Sequence, residues 1–288
     1  MTKRARTRWK ALGVGLLLLL GVLTLGLPAI GAALILHPPH RRGVVSPPPG
    51  CETVTFAGEG VKLQGWRGRG EGDHRGTLIY LHGVADNRAG GAGVLERFRK
   101  RGFDVVAYDS RAHGESEGKA CTYGYYEKED LRRVLDTVAP GPIVLIGSSL
   151  GGAVALQLTA SDKRVSAVVS AESFSDLRTV ATERAPFVFT SDLLVKAFKL
   201  AEREGRFQID AVSPAVAARA ITVPALIIHG AADSDTPPAH AQRVFAALAG
   251  PKRLILVPGA GHNHSLQGDD VWREIEDWID AALGSHQN

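Results

Sequence analysis

The stretch Pro142-Ile-Val-Leu-Ile-Gly-Ser-Ser-Leu-Gly-Gly-Ala153 constrains this chain more than any other. Ile143 to Ile146 is a short, apolar, mostly β-branched run, the pattern of a strand buried on both faces of a parallel sheet. Gly147-Ser148-Ser149-Leu150-Gly151 follows and fits G-x-S-x-G. Small and apolar residues then continue to Leu158 at helical spacing. Strand, sharp turn and helix is the context in which such a serine becomes a nucleophile. The glycines permit a turn too tight for side chains, which holds Ser149 up at the sheet edge. Gly151, Gly152 and Ala153 let the helix approach the strand closely.

Around this stretch the chain has ordinary globular composition, 44% hydrophobic and 22% charged over 288 residues. The net charge of +4 is local. Five of the 34 basic residues, Lys3, Arg4, Arg6, Arg8 and Lys10, lie in the first ten positions, leaving 29 against 30 acidic residues elsewhere. With no basic stripe in that remainder, nucleic acid is not expected as a partner. Residues 11–36 carry no charge and include Leu16 to Leu20. That length suits a transmembrane signal anchor, because a cleaved leader has a shorter core of roughly 7–15 apolar residues. Gly31-Ala32-Ala33 leaves cleavage, and hence secretion, open as the alternative. The basic segment 1–10 and the positive-inside rule put the N-terminus in the cytoplasm and the rest of the chain on the far side of the membrane. Residues 37–50 contain five prolines and read as a stiff linker.

The globular domain is expected over 51–288. It opens with a hairpin, Glu52 to Phe56 and Val61 to Trp66. Strands are expected at Thr77 to Leu81, Phe103 to Tyr108, Ile143 to Ile146, Val165 to Ser170, Pro224 to Gly230 and Arg253 to Val257. Helices are expected between them, near Val94 to Arg101, Tyr126 to Val138 and Ala239 to Leu248, with a last one from Asp269 to Leu283. This alternation predicts an α/β class: a mostly parallel sheet with helices on both faces. Residues 173–220 interrupt it with phenylalanines and leucines among charges, and are expected to form a small helical cap. Within it Phe187, Phe189 and Phe198 are candidates for an apolar acyl pocket.

Four further pieces accompany the nucleophile turn in order: Leu81-His82-Gly83-Val84; Asp109-Ser110-Arg111-Ala112-His113-Gly114-Glu115-Ser116; His229-Gly230-Ala231-Ala232-Asp233-Ser234-Asp235-Thr236-Pro237; and Gly259-Ala260-Gly261-His262. With them the chain from Cys51 onward resembles the α/β-hydrolase superfamily, in particular its small bacterial esterases and serine aminopeptidase-like branch. Ala112 stands where that family usually has Gly. The resemblance implies the α/β-hydrolase fold and a catalytic triad of Ser149, Asp233 and His262. A serine hydroxyl needs an adjacent base, and the imidazole needs a carboxylate to fix its tautomer. The chain order Ser, Asp, His is the one this fold uses. Ser148, Asp235 and His264 are rivals at each position, and motif spacing favours the first set. The oxyanion hole is expected from the backbone N–H groups of Val84 and Leu150. His82, His113 and His229 are expected to hold loops by bonding backbone, and Asp109 and Arg111 to form a structural pair.

No H-E-x-x-H, paired-cysteine or phosphate-cradling motif occurs, so neither a metal nor a cofactor is expected. The resemblance implies hydrolysis of carboxylic esters through an acyl-serine, on a small-molecule or lipid-like acyl substrate. The same triad serves peptidases, amidases, lipases and thioesterases, and the fold also carries silent binding proteins. The two cysteines, Cys51 and Cys121, leave a disulfide open in an oxidising compartment. Nothing in the sequence bears on oligomeric state.

Overall fold

The computed structural model describes residues 9, 10, 12–16, 21–41 and 43–284. Most of the basic segment and part of the expected anchor, residues 1–8, 11 and 17–20, lie outside the described residues. Eight strands form one sheet: β1 (Cys51–Ala57), β2 (Lys62–Gly68), β3 (Gly76–Leu81), β4 (Phe103–Tyr108), β5 (Ile143–Ser148), β6 (Val165–Ala171), β7 (Ala225–Gly230) and β8 (Lys252–Val257), in the order β1-β2-β4-β3-β5-β6-β7-β8. β2 runs antiparallel to β1 and β4, and every other pair is parallel. The opening hairpin and all the expected strands are therefore present.

The helices are α1 (Leu27–Leu36), α2 (Ala92–Arg99), α3 (Glu127–Leu135), α4 (Leu150–Thr159), α5 (Leu177–Glu183), α6 (Ser191–Gly205), α7 (Pro214–Ala218), α8 (Ala239–Ala247) and α9 (Asp269–Gly284). Alternate residues of the central strands feed two cores. Ile79, Leu81, Leu145 and Ile227 face α3, α4 and α8, whereas Leu78, Tyr80, Ile146 and Ile228 face α2 and α9. Both faces of β3, β5 and β7 are buried, as a parallel sheet covered by crossover helices requires.

Between β6 and β7 lie α5, α6 and α7. Asp176 and Thr190 cap the first two helices, accepting hydrogen bonds from the backbone N–H groups of Thr179 and Leu193. Phe174, Leu177, Phe198 and Phe207 make a third core here, and two residues from the far N-terminus, Ala32 and Leu36, complete it. The uncharged stretch 11–36 therefore meets the protein over its last turns. Its last ten residues are α1, which ends at the His37-Pro38 junction and lies against α6. Among the described residues no helix is long and apolar enough to cross a membrane.

The cysteines are free thiols. Cys51 packs against the core shared with α2 and α9, while Cys121 is buried in the core on the opposite face of the sheet. The sheet between them rules out the disulfide considered from sequence. Burial pushes the Cys121 thiol well up, so it is an inert packing residue.

Three buried histidines hold loops, as expected. The backbone N–H of Ser110 donates to His82 Nε2 at 2.9 Å, so the proton sits on Nδ1 and is donated to Gly83 O at 2.7 Å. That fixes His82 neutral. Burial, and then neighbouring His113, pushes its pKa down to about 4. Unfolded, the ring titrates near 6.5, so below that pH the unfolded chain binds the extra proton. Stability is therefore fully present above about pH 6.5 and is lost as pH falls toward 4, by about 3 kcal/mol from this group. A His82→Asn variant should show a shallower fall of Tm across that window; an unchanged slope would remove His82 as a cause.

Candidate active site

Ser149, Asp233 and His262 come from the loops after β5, β7 and β8. Parallel strands in register place all three at one edge of the sheet. The turn that carries Ser149 is as tight as the sequence demands. Ser149 sits at φ +50°, a strained conformation for a residue with a side chain, and its N–H donates to Ala171 O at 2.7 Å. A Cβ on Gly147 would lie 2.3 Å from the backbone of Gly151, and one on Gly151 would lie 2.1 Å from Leu81 O. Neither glycine can carry a side chain while the strand, turn and helix keep these positions.

The three side chains form one hydrogen-bonded line. His262 Nδ1 donates to Asp233 Oδ2 at 2.7 Å, which leaves Nε2 as an acceptor facing Ser149 Oγ at 3.2 Å. The second distance is slightly long for such a bond, as is usual before substrate binds. Asp233 is buried, and its other oxygen accepts the N–H groups of Asp235 and Thr236 at 3.0 and 2.8 Å. His229 donates to Thr236 O at 2.7 Å, closing the same loop. The rivals fall away on geometry: Asp235 and His264 are exposed, and Ser148 ends its strand with Ser149 alone facing the imidazole.

Leu150 is the first residue of α4, where leading N–H groups lack intrahelical acceptors. Gly83 packs on Ser149, with its Cβ position 3.6 Å from the serine Cβ, so Val84 follows immediately beside that serine. His113 steadies this loop, its Nε2 lying 2.9 Å from Val84 O and its Nδ1 2.9 Å from Arg111 O. Burial lowers its pKa, and a neutral ring can donate to only one of the two carbonyls.

The Asp109–Arg111 pair expected from sequence does not form. Asp109, fully buried, takes the guanidinium of Arg88, which also reaches Glu115. Arg111 instead makes two 2.7 Å bonds to Asp130. Sequence reasoning missed Arg88 because it lies in no motif, 21 residues before its partner. Ala112 is held at φ +59°, the left-handed region that explains why glycine is usual there.

Glu172 was also missed. It sits just past β6 at φ +55°, almost fully buried, and its two carboxylate oxygens accept the backbone N–H groups of Asn263 and Ser265 at 2.8 Å each. Those residues flank the turn after His262, and Asn263 itself is at φ +63°. Glu172 thus suspends the histidine loop from the sheet. The only sequence signal was an acidic residue directly after an apolar strand.

Two cavities border the loop that carries Val84. One, of about 510 Å³, has mixed polar and apolar walls that include Tyr80, Gly83, Arg97, Ser148, Glu172 and Asn263. The other, of about 230 Å³, is mainly apolar and includes Val84, Phe189 and Phe198. Phe187 lines neither: its side chain is 98% exposed at the tip between α5 and α6, which corrects its place among the acyl-pocket candidates. Among the described residues no cluster could hold a metal ion.

A family model for the alpha/beta hydrolase fold matches residues 76–203. The protein YfhR of Escherichia coli is 31% identical over 247 residues, covering 81% of this chain and 82% of its own. The chain belongs to the α/β-hydrolase superfamily. YqkD of Bacillus subtilis is 30% identical over 66% of each chain. Among solved structures, the Pyrococcus furiosus esterase Pf2001 superposes with a TM-score of 0.68 at 23% identity, over 85% of this chain and 99% of that one. An acylaminoacyl peptidase of Pyrococcus horikoshii superposes at 0.63 and 15% identity, over 81% and 41%. At these identities the superpositions speak for the fold alone. As an α/β hydrolase the chain is expected to keep the edge where the three side chains meet as its working face.

Proposed function

We propose that this α/β hydrolase cleaves carboxylic esters through an acyl-serine intermediate at Ser149. The observation that carries this reading is the unbroken line Asp233–His262–Ser149 with the correct tautomer fixed at its buried end. Ser149 Oγ attacks the ester carbonyl while His262 Nε2 takes its proton. The carbonyl oxygen becomes an oxyanion facing the N–H groups of Val84 and Leu150, each worth about 3 kcal/mol of barrier. Collapse expels the alkoxide, which receives the proton from His262. Water then repeats the sequence on the acyl-serine and frees the acid. A panel of acyl esters run beside aminoacyl amides tests the substrate class. Ester turnover exceeding amide turnover at matched acyl groups is expected, and the reverse would make the protein a peptidase.

Glu172 acts in this scheme by positioning. Glu172→Gln replaces one acceptor with an N–H donor aimed at a backbone N–H, a cost of about 1–3 kcal/mol. The expected result is a kcat lower by about 10- to 100-fold with KM within about twofold. A loss confined to KM or to thermal stability would show that Glu172 only supports the fold.

We further propose that the uncharged N-terminal segment anchors the protein, with the N-terminus cytoplasmic and the catalytic domain outside. Support comes from the charge asymmetry across residues 11–36 and from the outward face of α1, where Ile30 is 52% exposed. Protease added to sealed right-side-out membranes should remove the catalytic domain. A domain protected until the membrane is broken would reverse the orientation.

A further inference from the structure

We propose that the apolar cavity between α1 and α6 is the acyl-chain subsite, so that the N-terminal helix is itself a wall of the substrate site and selects esters of short to medium acyl chains. This rests on the ester-hydrolase reading above and names its substrate. The cavity is walled by Val84, the residue whose N–H faces the oxyanion in that reading, and Val84 follows Gly83, which packs on Ser149. From there it runs between Leu34 and Ile35 of α1 and Phe189, Leu194 and Phe198 of the insert. Its one charged wall residue, Arg184, is already committed, donating to Asp235 O at 2.8 Å and to the hydroxyl of Thr236. Apart from Tyr123, the remaining walls are apolar side chains, glycine and proline.

The wall is built into the fold. A Cβ on Gly31 would lie 2.8 Å from the Phe189 ring and 2.9 Å from Ala197 Cβ, so α1 approaches as closely as a glycine allows. Ala32 and Leu36, one helical turn apart, are buried in the same core as Phe198. Leu34 lies on the other side of the helix, half exposed and lining the cavity, which places it at the mouth. The volume, about 230 Å³, is below the ~300–1,000 Å³ of sites for drug-sized ligands, and a long acyl chain would have to leave it.

The test uses the full-length protein and p-nitrophenyl esters from acetate to palmitate, with wild type, Leu34→Trp and Leu34→Ala. Because Leu34 is half exposed, neither change threatens folding. Wild-type kcat/KM should rise to a medium chain and fall by palmitate. Leu34→Trp should lose about 10-fold or more on octanoate and less than about twofold on acetate, a methylene-scale discrimination. Leu34→Ala should move the optimum to longer chains. If both variants keep the wild-type chain-length profile while a fluorophosphonate still labels them, α1 is no wall of the site and the proposal fails. A wild type that the fluorophosphonate does not label fails differently, because it removes the serine-hydrolase reading and this inference with it.

Discussion

Replacing Ser149 with Ala, or His262 with Ala, is expected to lower kcat for ester hydrolysis by about four orders of magnitude or more, and the double variant should be little worse than either. The non-additivity follows from the geometry. Ser149 Oγ has His262 Nε2 as its base, and without that base the hydroxyl is a poor nucleophile. Once one member is gone, the other has no function left to lose. Asp233→Asn should cost nearly as much, because an amide nitrogen facing Nδ1 would favour the tautomer with its proton on Nε2, pointed at the serine. Asp235→Asn should cost less than about tenfold, since Asp235 reaches the line only through its own backbone N–H to Asp233. Steady-state rates of the five proteins decide this. An Asp235 effect larger than that of Asp233 would reassign the acid.

The largest expected loss of stability lies at Arg88, outside any motif. Its side chain is 2% exposed, it pairs with Asp109 at 0%, and it lies over the Trp66 ring with its guanidinium carbon 5.4 Å from the centroid. Arg88→Met keeps the stem and removes the charge, leaving the Asp109 carboxylate buried with only the backbone N–H groups of Arg88 and Glu115. Breaking one side of a buried pair costs about 3–5 kcal/mol. For a chain of this size that is a fall in Tm of roughly 6–20 °C. Arg88→Lys should recover little, because one ammonium cannot reproduce a fork that serves Asp109 and Glu115 together. Thermal unfolding followed by circular dichroism measures both. A shift below about 2 °C for Arg88→Met would mean that water reaches Asp109 and that the pair does not hold the loop.

The parts of this protein that could be read from sequence are those where chemistry and backbone geometry leave few residue choices. Gly147 and Gly151 must be glycine because backbone atoms occupy the space of their Cβ, so the turn at Ser149 was legible from its glycines together with the apolar strand before it and the small-residue helix after it. The apolar runs of β3, β5 and β7 announced themselves because both faces are buried. Partners brought together only by the fold stayed hidden. Glu172 and Asn263 are 91 residues apart, and no local pattern links a carboxylate to the backbone N–H groups it will receive. Arg111 stood two residues from Asp109, but their loop turns the side chains apart, toward Asp130 and Arg88. The N-terminal stretch is ambiguous in a different way. A run with no charge gives the same signal whether it meets lipid or a protein core, and the fit of Gly31 against Phe189 and Ala197 shows that one face of α1 meets a protein core. Phe187 shows the limit of composition: it shares a cap sequence with Phe189 and Phe198, yet it points to solvent.

The central claim is that Ser149 is the nucleophile. Labelling the folded protein with a fluorophosphonate, followed by peptide mapping, tests it most directly. The account predicts one covalent adduct, on Ser149, absent from Ser149→Ala and strongly slowed in His262→Ala. An adduct on Ser148 or elsewhere, or no adduct on folded wild-type protein, would contradict it.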